Sequence, residues 1–156
     1  MTERWQRFWS LSGYERGIVL ETMAALPASW LGLRLVGYRR WHTILARLVP
    51  STDQTAHPSS AIQKQTAQLI ARMSTTAARN LFFGTNCLEQ SLVLWWVLHR
   101  RGIAAELRIG ARKRCERFEA HAWIEVNSVV LNEASEEHHH FVPFDGPISA
   151  QEARTD

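Results

Sequence analysis

Cys87 and His121 are the two residues of this 156-residue chain whose types and surroundings point to chemistry. Cys87 follows the turn Gly84-Thr85-Asn86 and opens an apolar, leucine- and tryptophan-rich run to about Arg101. That run reads as a buried helix, with Gly102 as its C-terminal cap. A thiol at a helix N-terminus sits at the positive end of the macrodipole among backbone N–H donors, and both favour the nucleophilic thiolate. The same N–H groups can stabilise the oxyanion made when a thiolate attacks a carbonyl. Cysteine is also a common small buried hydrophobe, so the position gains meaning only beside a base.

His121 is the candidate base. Ala120-His121-Ala122-Trp123-Ile124-Glu125-Val126 alternates as a strand, with His121 and Trp123 on the face opposite Ala122, Ile124 and Val126. Packed against the start of the cysteine helix, a strand histidine can take the thiol proton and later return it to a leaving amine. A third group would orient the imidazole. Antiparallel pairing across a turn at Asn127-Ser128 brings Asn132 and Glu133 beside the His121 strand. Glu133 is the preferred, ionisable orienter and Asn132 the neutral alternative. Asn86 and Gln90 flank Cys87, and their side-chain amides are candidate oxyanion donors.

The elements that must position these groups divide into a helical front and a mixed rear. Trp5 and Trp9 lie four apart on a short helix. Ser12 with Glu15 makes a capping box for the next helix, which Pro27 should end or kink. A further helical stretch runs from about Ser29 to Leu48, crowded with arginine. The polar, proline-broken segment Pro50–Ser60 reads as a loop, and helical spacing resumes from Ile62 to about Phe83. After the Cys87 helix the period changes to alternation at Ala105–Gly110 and at Ala120–Val126. Ser128–Asn132 follows as a third strand, and Phe141–Phe144 as a short edge strand. Helices first, a central helix, then an antiparallel sheet is an α+β arrangement. The length suits one domain over 1–156, with a helical front section at 1–58 and a catalytic core at 59–148.

Bulk composition narrows the classes. The chain is 46% hydrophobic and 21% charged, which is ordinary for a folded domain with its own core. The net charge of +3 would permit nucleic-acid binding, but the basic residues are mixed with acids and form no tail, zinc-finger spacing or aromatic-basic stripe. The start carries no secretory signal, so a cytoplasmic, reducing setting with free thiols is expected for Cys87 and Cys115. The best membrane-span candidate, Ile18–Val36, is interrupted by Glu21, Pro27 and Arg34, so no membrane association is expected. Cys115 sits in a charged stretch and reads as a loop thiol. The His138-His139-His140 run with Glu136 and Glu137 reads as a solvated loop, because adjacent histidines converge poorly on one ion. No metal or cofactor is expected.

Two blocks carry a resemblance. Asn86-Cys87-Leu88-Glu89-Gln90-Ser91-Leu92-Val93-Leu94-Trp95, continued by Leu98-His99-Arg100-Arg101-Gly102-Ile103, resembles the cysteine block of lasso-peptide biosynthesis B proteins. Phe118-Glu119-Ala120-His121-Ala122-Trp123-Ile124-Glu125-Val126 resembles their histidine block, and Leu107–Gly110 matches the strand between. The resemblance implies a transglutaminase-like, papain-like cysteine peptidase that cuts the leader from a ribosomally made precursor peptide. It implies Cys87 as nucleophile and His121 as base, and Glu133 at a position where the family usually has aspartate. It also implies two partners. One is a separate leader-binding recognition protein, since no winged-helix-like module is legible at this N-terminus. The other is an ATP-dependent, asparagine-synthetase-like cyclase that closes the exposed core amine onto an acidic side chain. The same fold also hosts transamidases and acyltransferases, and a non-catalytic adaptor is the alternative outside enzymes.

Overall fold

The computed structural model describes residues 6, 8–49, 60–81, 84–114, 117–132 and 140–144. Its elements are α1 (Gly13–Arg47), α2 (Ser60–Arg79), α3 (Cys87–His99), β1 (Glu106–Arg114), β2 (Arg117–Val126), β3 (Val129–Val130) and β4 (Val142–Pro143). The strands form one antiparallel sheet in the order β3-β2-β1-β4. The fold is α+β, as its sequence pattern implies.

α1 starts where the capping box predicts. Ser12 Oγ accepts from the Glu15 N–H at 3.2 Å, and Glu15 Oε2 accepts from the Ser12 N–H at 2.8 Å. The expected break at Pro27 does not occur: the helix runs through it, held by Leu26 and Ser29, which are buried on either side. The break falls at Gly37, whose φ of 77° and ψ of 170° leave the helical region. In a straight helix residues 32 and 41 would be about 13 Å apart. Here Trp41 folds back so closely that a Cβ on Gly32 would overlap its ring, and Trp41 Nε1 donates to Ser29 Oγ at 3.2 Å. α1 is also long and apolar enough, by length and composition alone, to cross a bilayer. Ile18, Leu26 and Leu45 of this helix belong to the hydrophobic core.

α3 is apolar all round and accordingly buried, packing on α1, α2, β1 and β2. Trp95 at its centre is fully buried in the same hydrophobic core as Ile18, Leu26, Ile70, Leu92, Leu107 and Ile124. The helix ends as expected: Gly102 takes a left-handed φ of 71°, and the N–H groups of Gly102 and Ile103 bond the carbonyls of His99 and Leu98. Glu21 of α1 pairs with Arg100 at 2.9 Å and Arg101 at 2.7 Å, pinning the end of α3 to the front helix.

The β1–β2 hairpin is longer than the alternation indicated, reaching Arg114 and starting again at Arg117. The β2–β3 turn is the expected one. Asn127 and Ser128 both adopt positive φ, 50° and 62°, as a two-residue hairpin loop with right-handed strand twist requires. The third strand is shorter than Ser128–Asn132. After Val130 the Ile124 N–H is met by the Asn132 side chain at 2.8 Å rather than by a strand carbonyl, so the ladder ends there. The expected loop at Pro50–Ser60 lies almost wholly outside the described residues.

Candidate active site

Cys87 is the first residue of α3, half-buried and a free thiol. The chain enters the helix through Asn86, whose Oδ1 accepts from the Glu89 N–H at 2.9 Å. Glu89 answers: Oε2 accepts from the Asn86 N–H at 3.0 Å and Oε1 from Asn86 Nδ2 at 3.2 Å. This reciprocal box also explains how Glu89 can be buried, because its carboxylate sits at a helix N-terminus and accepts from two donors. Four N–H groups at a helix start lack intrahelical partners. The box satisfies those of Asn86 and Glu89, and leaves those of Cys87 and Leu88 unbonded among the described residues. Two adjacent donors are thus left open at the helix start that carries the thiol.

His121 lies in β2, half-buried, directly across from Gly110 of β1. Its ring stacks beside Trp123 at 6.1 Å between centroids and tilts against Phe141 at 5.1 Å. Gly110 makes this possible. A Cβ there would stand 2.9 Å from the Val142 carbonyl oxygen, 3.1 Å from the Trp123 ring and 3.2 Å from Phe141 Cβ. Without that side chain, β4 closes over the histidine. Below it Trp123 Nε1 donates to Glu125 at 2.8 Å, and beside it Arg112 pairs with Glu119 at 2.7 Å while covering Phe141.

The two elements are joined by a buried hydrogen-bond chain, but α3 packs on the Ala122, Ile124 and Val126 face of β2, whereas the His121 ring lies with Trp123 and Phe141 on the other face, so the histidine is not packed against the helix start in the way the sequence suggests. Ser91, one turn after Cys87, donates to the carbonyl of Ala122, the residue after His121, at 2.9 Å. Asn132 Nδ2 donates to the same Ser91 Oγ at 2.9 Å, while Asn132 Oδ1 holds the Ile124 N–H. A family model described as the transglutaminase-like superfamily matches residues 32–144, a span that contains this helix, this strand and the whole sheet. The chain belongs to the transglutaminase-like superfamily. No curated protein and no solved structure matched it. This superfamily includes cysteine peptidases and transglutaminases, and its members are commonly cysteine-based enzymes.

Within this transglutaminase-like domain the remaining candidates take definite places. The Asn132 amide is engaged by Ser91 and Ile124, not by His121, so it works as a tie between α3 and β2. Glu133, the preferred orienter, lies outside the described residues, as do Cys115, Glu136, Glu137, His138 and His139. The Asn86 amide is committed to Glu89, and Gln90 Nε2 is committed to Thr85, at 2.9 Å to Oγ1 and 3.2 Å to the carbonyl. Both side chains build the helix start, which leaves the backbone N–H groups of Cys87 and Leu88 as the open donors of that turn. Ser91 was missed as a site residue. Its signal is a lone hydroxyl four residues after Cys87 inside an otherwise apolar run, on the same helix face. Gln90 and Asn132 also line a small cleft with Thr22, Ser74 and Thr75, and Thr22 and Ser74 meet there at 3.2 Å.

Proposed function

We propose that this transglutaminase-like chain is a cysteine peptidase that removes the leader from a lasso-peptide precursor, with Cys87 as nucleophile and His121 as base. The observation that supports it most is the start of α3. The capping box takes up the N–H groups of Asn86 and Glu89 and leaves those of Cys87 and Leu88 open, on a helix tied to the residue next to His121. The likeness of the Cys87 and His121 blocks to lasso-peptide B proteins supports the narrower substrate.

In the reaction His121 takes the thiol proton and the Cys87 sulfur attacks the last leader carbonyl. The oxyanion is received by the N–H groups of Cys87 and Leu88. Collapse breaks the C–N bond, and the imidazolium gives its proton to the leaving amine, which becomes the core N-terminus. His121 then deprotonates water, whose attack on the thioester releases the leader acid and returns the sulfur. In this reading Glu133 orients the imidazole, and no metal or nucleotide takes part. The setting is cytoplasmic. A separate leader-binding protein presents the precursor, and an ATP-dependent cyclase consumes the product. The exposed Trp9, the Arg34–Trp30 stack and Leu35 on the helical front form the surface for the presenting protein.

The test is incubation with a candidate precursor, with and without a leader-binding partner, comparing wild type with Cys87→Ala and His121→Ala by mass spectrometry. A free leader carboxylate that disappears in both variants is the expected result. An adduct on the leader carbonyl would instead identify a transamidase, the other activity of this superfamily. Full processing by Cys87→Ala would identify an adaptor.

A further inference from the structure

α1 buries one face and leaves the opposite face apolar as well. Ile18, Thr22, Leu26 and Ser29 turn inward and are buried. On the far side Leu20, Ala24, Ala28, Leu31 and Leu35 recur three or four apart and are all exposed, the leucines by 56%, 48% and 72%. The row is about 22 Å long, and it ends where the helix bends at Gly37. No charged residue falls between Glu21 and Arg34. Only 33% of the most apolar 18-residue stretch of α1 is buried, whereas a core helix is covered along most of its length. The solvent face of a helix normally carries charge, so a bare apolar face of this length is built to meet something apolar.

The charges that interrupt α1 as a membrane span do not interrupt this row. At 3.6 residues per turn Arg16 and Arg34 both fall about 80° to one side of the row's centre, and Glu21 about 60° to the other. Glu21 is neutralised by Arg100 and Arg101, at 2.9 and 2.7 Å. Cationic groups therefore border the row on both sides. Arg16 and Arg34 also lie over the rings of Trp9 and Trp30, at 5.4 and 4.2 Å. An apolar strip edged by arginine and tryptophan matches the boundary between acyl chains and anionic headgroups. A second copy of the chain fits less well. Five side chains of one helix fall short of the roughly 800 Å² that each partner of a stable dimer buries, and two-fold pairing would set like borders against each other.

We infer that α1 lies along the surface of an anionic membrane, with Leu20, Ala24, Ala28 and Leu31 in the acyl boundary and the bordering arginines among the headgroups. The helix lies on the bilayer and does not cross it, because Ile18, Leu26 and Leu45 of the same helix are built into the hydrophobic core. A depth of about 5–10 Å is enough to bury one row of leucines. The inference is independent of the Cys87 chemistry. Leu35, at the end of the row, belongs also to the surface proposed for the presenting protein, so the test is made at Leu20 and Leu31.

Cosedimentation of the full chain with lipid vesicles tests it. Vesicles of phosphatidylcholine alone are compared with vesicles of equal parts phosphatidylcholine and phosphatidylglycerol. Wild type is expected to bind the anionic vesicles at least about tenfold more tightly, and to be released by raised salt. Leu20→Glu and Leu31→Glu should each weaken that binding about tenfold, while Leu31→Phe should keep it. Urea midpoints close to wild type are expected for all three variants, since the side chains changed are exposed. Wild type left in the supernatant with anionic vesicles overturns the inference, whatever the variants do. Binding that the glutamate variants retain also overturns it, by placing the contact elsewhere. Protein that stays in the pellet through alkaline carbonate would be spanning the bilayer, which is equally fatal. Sedimentation equilibrium covers the other occupant: a dimer that Leu31→Glu dissociates, with no vesicle binding, would make the row a contact between copies.

Discussion

Ser91 Oγ donates to the Ala122 carbonyl at 2.9 Å, which locks the turn following Cys87 to the residue following His121. The same oxygen accepts from Asn132, so one hydroxyl joins the helix, the strand and the segment after β3. Ser91→Ala would orphan the Ala122 carbonyl and an Asn132 N–H in a buried setting, at a cost of about 1–3 kcal/mol. Urea denaturation should show that loss. Activity measured well below the denaturation midpoint should fall further than the folded fraction does, because the Cys87 turn is no longer held against β2. Equal activity per folded molecule would mean that the tie contributes stability alone.

Gly110 faces His121 across the β1–β2 pair, and its missing side chain is what lets β4 close. In Gly110→Ala the new Cβ meets a backbone oxygen and two aromatic side chains at 2.9–3.2 Å. The strand can survive by displacing β4, an edge of two residues with few bonds to lose. The expected outcome is a modest drop in melting temperature and a large drop in turnover, as Phe141 leaves the imidazole. A variant as active as wild type would show that the Phe141 contact does not position His121.

The features that were legible in the sequence are local ones. The Ser12–Glu15 box, the turn at Asn127-Ser128, the Gly102 cap and the placement of Cys87 at a helix start all involve residues within a few positions of one another. What escaped depends on distant partners. Asn132 looked like an orienter because its strand adjoins that of His121, yet its amide is claimed by Ser91, 41 residues away. Pro27 looked like a breaker because prolines usually are, but packing on both sides of it held the helix, and the bend moved to Gly37, where only the return of Trp41 onto Gly32 demands it. Periodicity carries no information about such meetings.

That bend gives a stability prediction independent of catalysis. Gly37 has a φ of 77° with an extended ψ, a region that costs a residue with a Cβ on the order of 1–3 kcal/mol. Gly37→Ala should lower stability by about that much, while Gly13→Ala, at a position with open space around it, should leave stability the same or slightly raised. Urea midpoints of the two variants decide it. A Gly37→Ala protein as stable as wild type would mean that the chain turns elsewhere at no cost.

The last prediction concerns acid. His42 and His99 contact the ring of Trp95 at 4.5 Å and 4.4 Å between centroids, and Tyr38 stacks outside His42 at 5.8 Å. Burial, assisted by the nearby His99, pushes His42 down from 6.5 to about 4, and burial also lowers His99. A depressed histidine is stabilising while both folded and unfolded forms are neutral, above pH 6.5. As pH falls from 6.5 toward 4 the unfolded chain gains a proton that the folded chain refuses, so stability declines through that window. His42 alone accounts for a loss on the order of 3 kcal/mol by pH 4. His42→Phe keeps a ring against Trp95 and removes the titration. Because His42 Nε2 has no hydrogen-bond partner among the described residues, the replacement orphans nothing there. Urea midpoints at pH 7, 5.5 and 4 should fall steeply for wild type and more gently for His42→Phe, with the remaining slope carried by His99 and the carboxylates. Parallel curves for the two proteins would mean that His42 takes up its proton as readily folded as unfolded, and that the stack is not the dry site described.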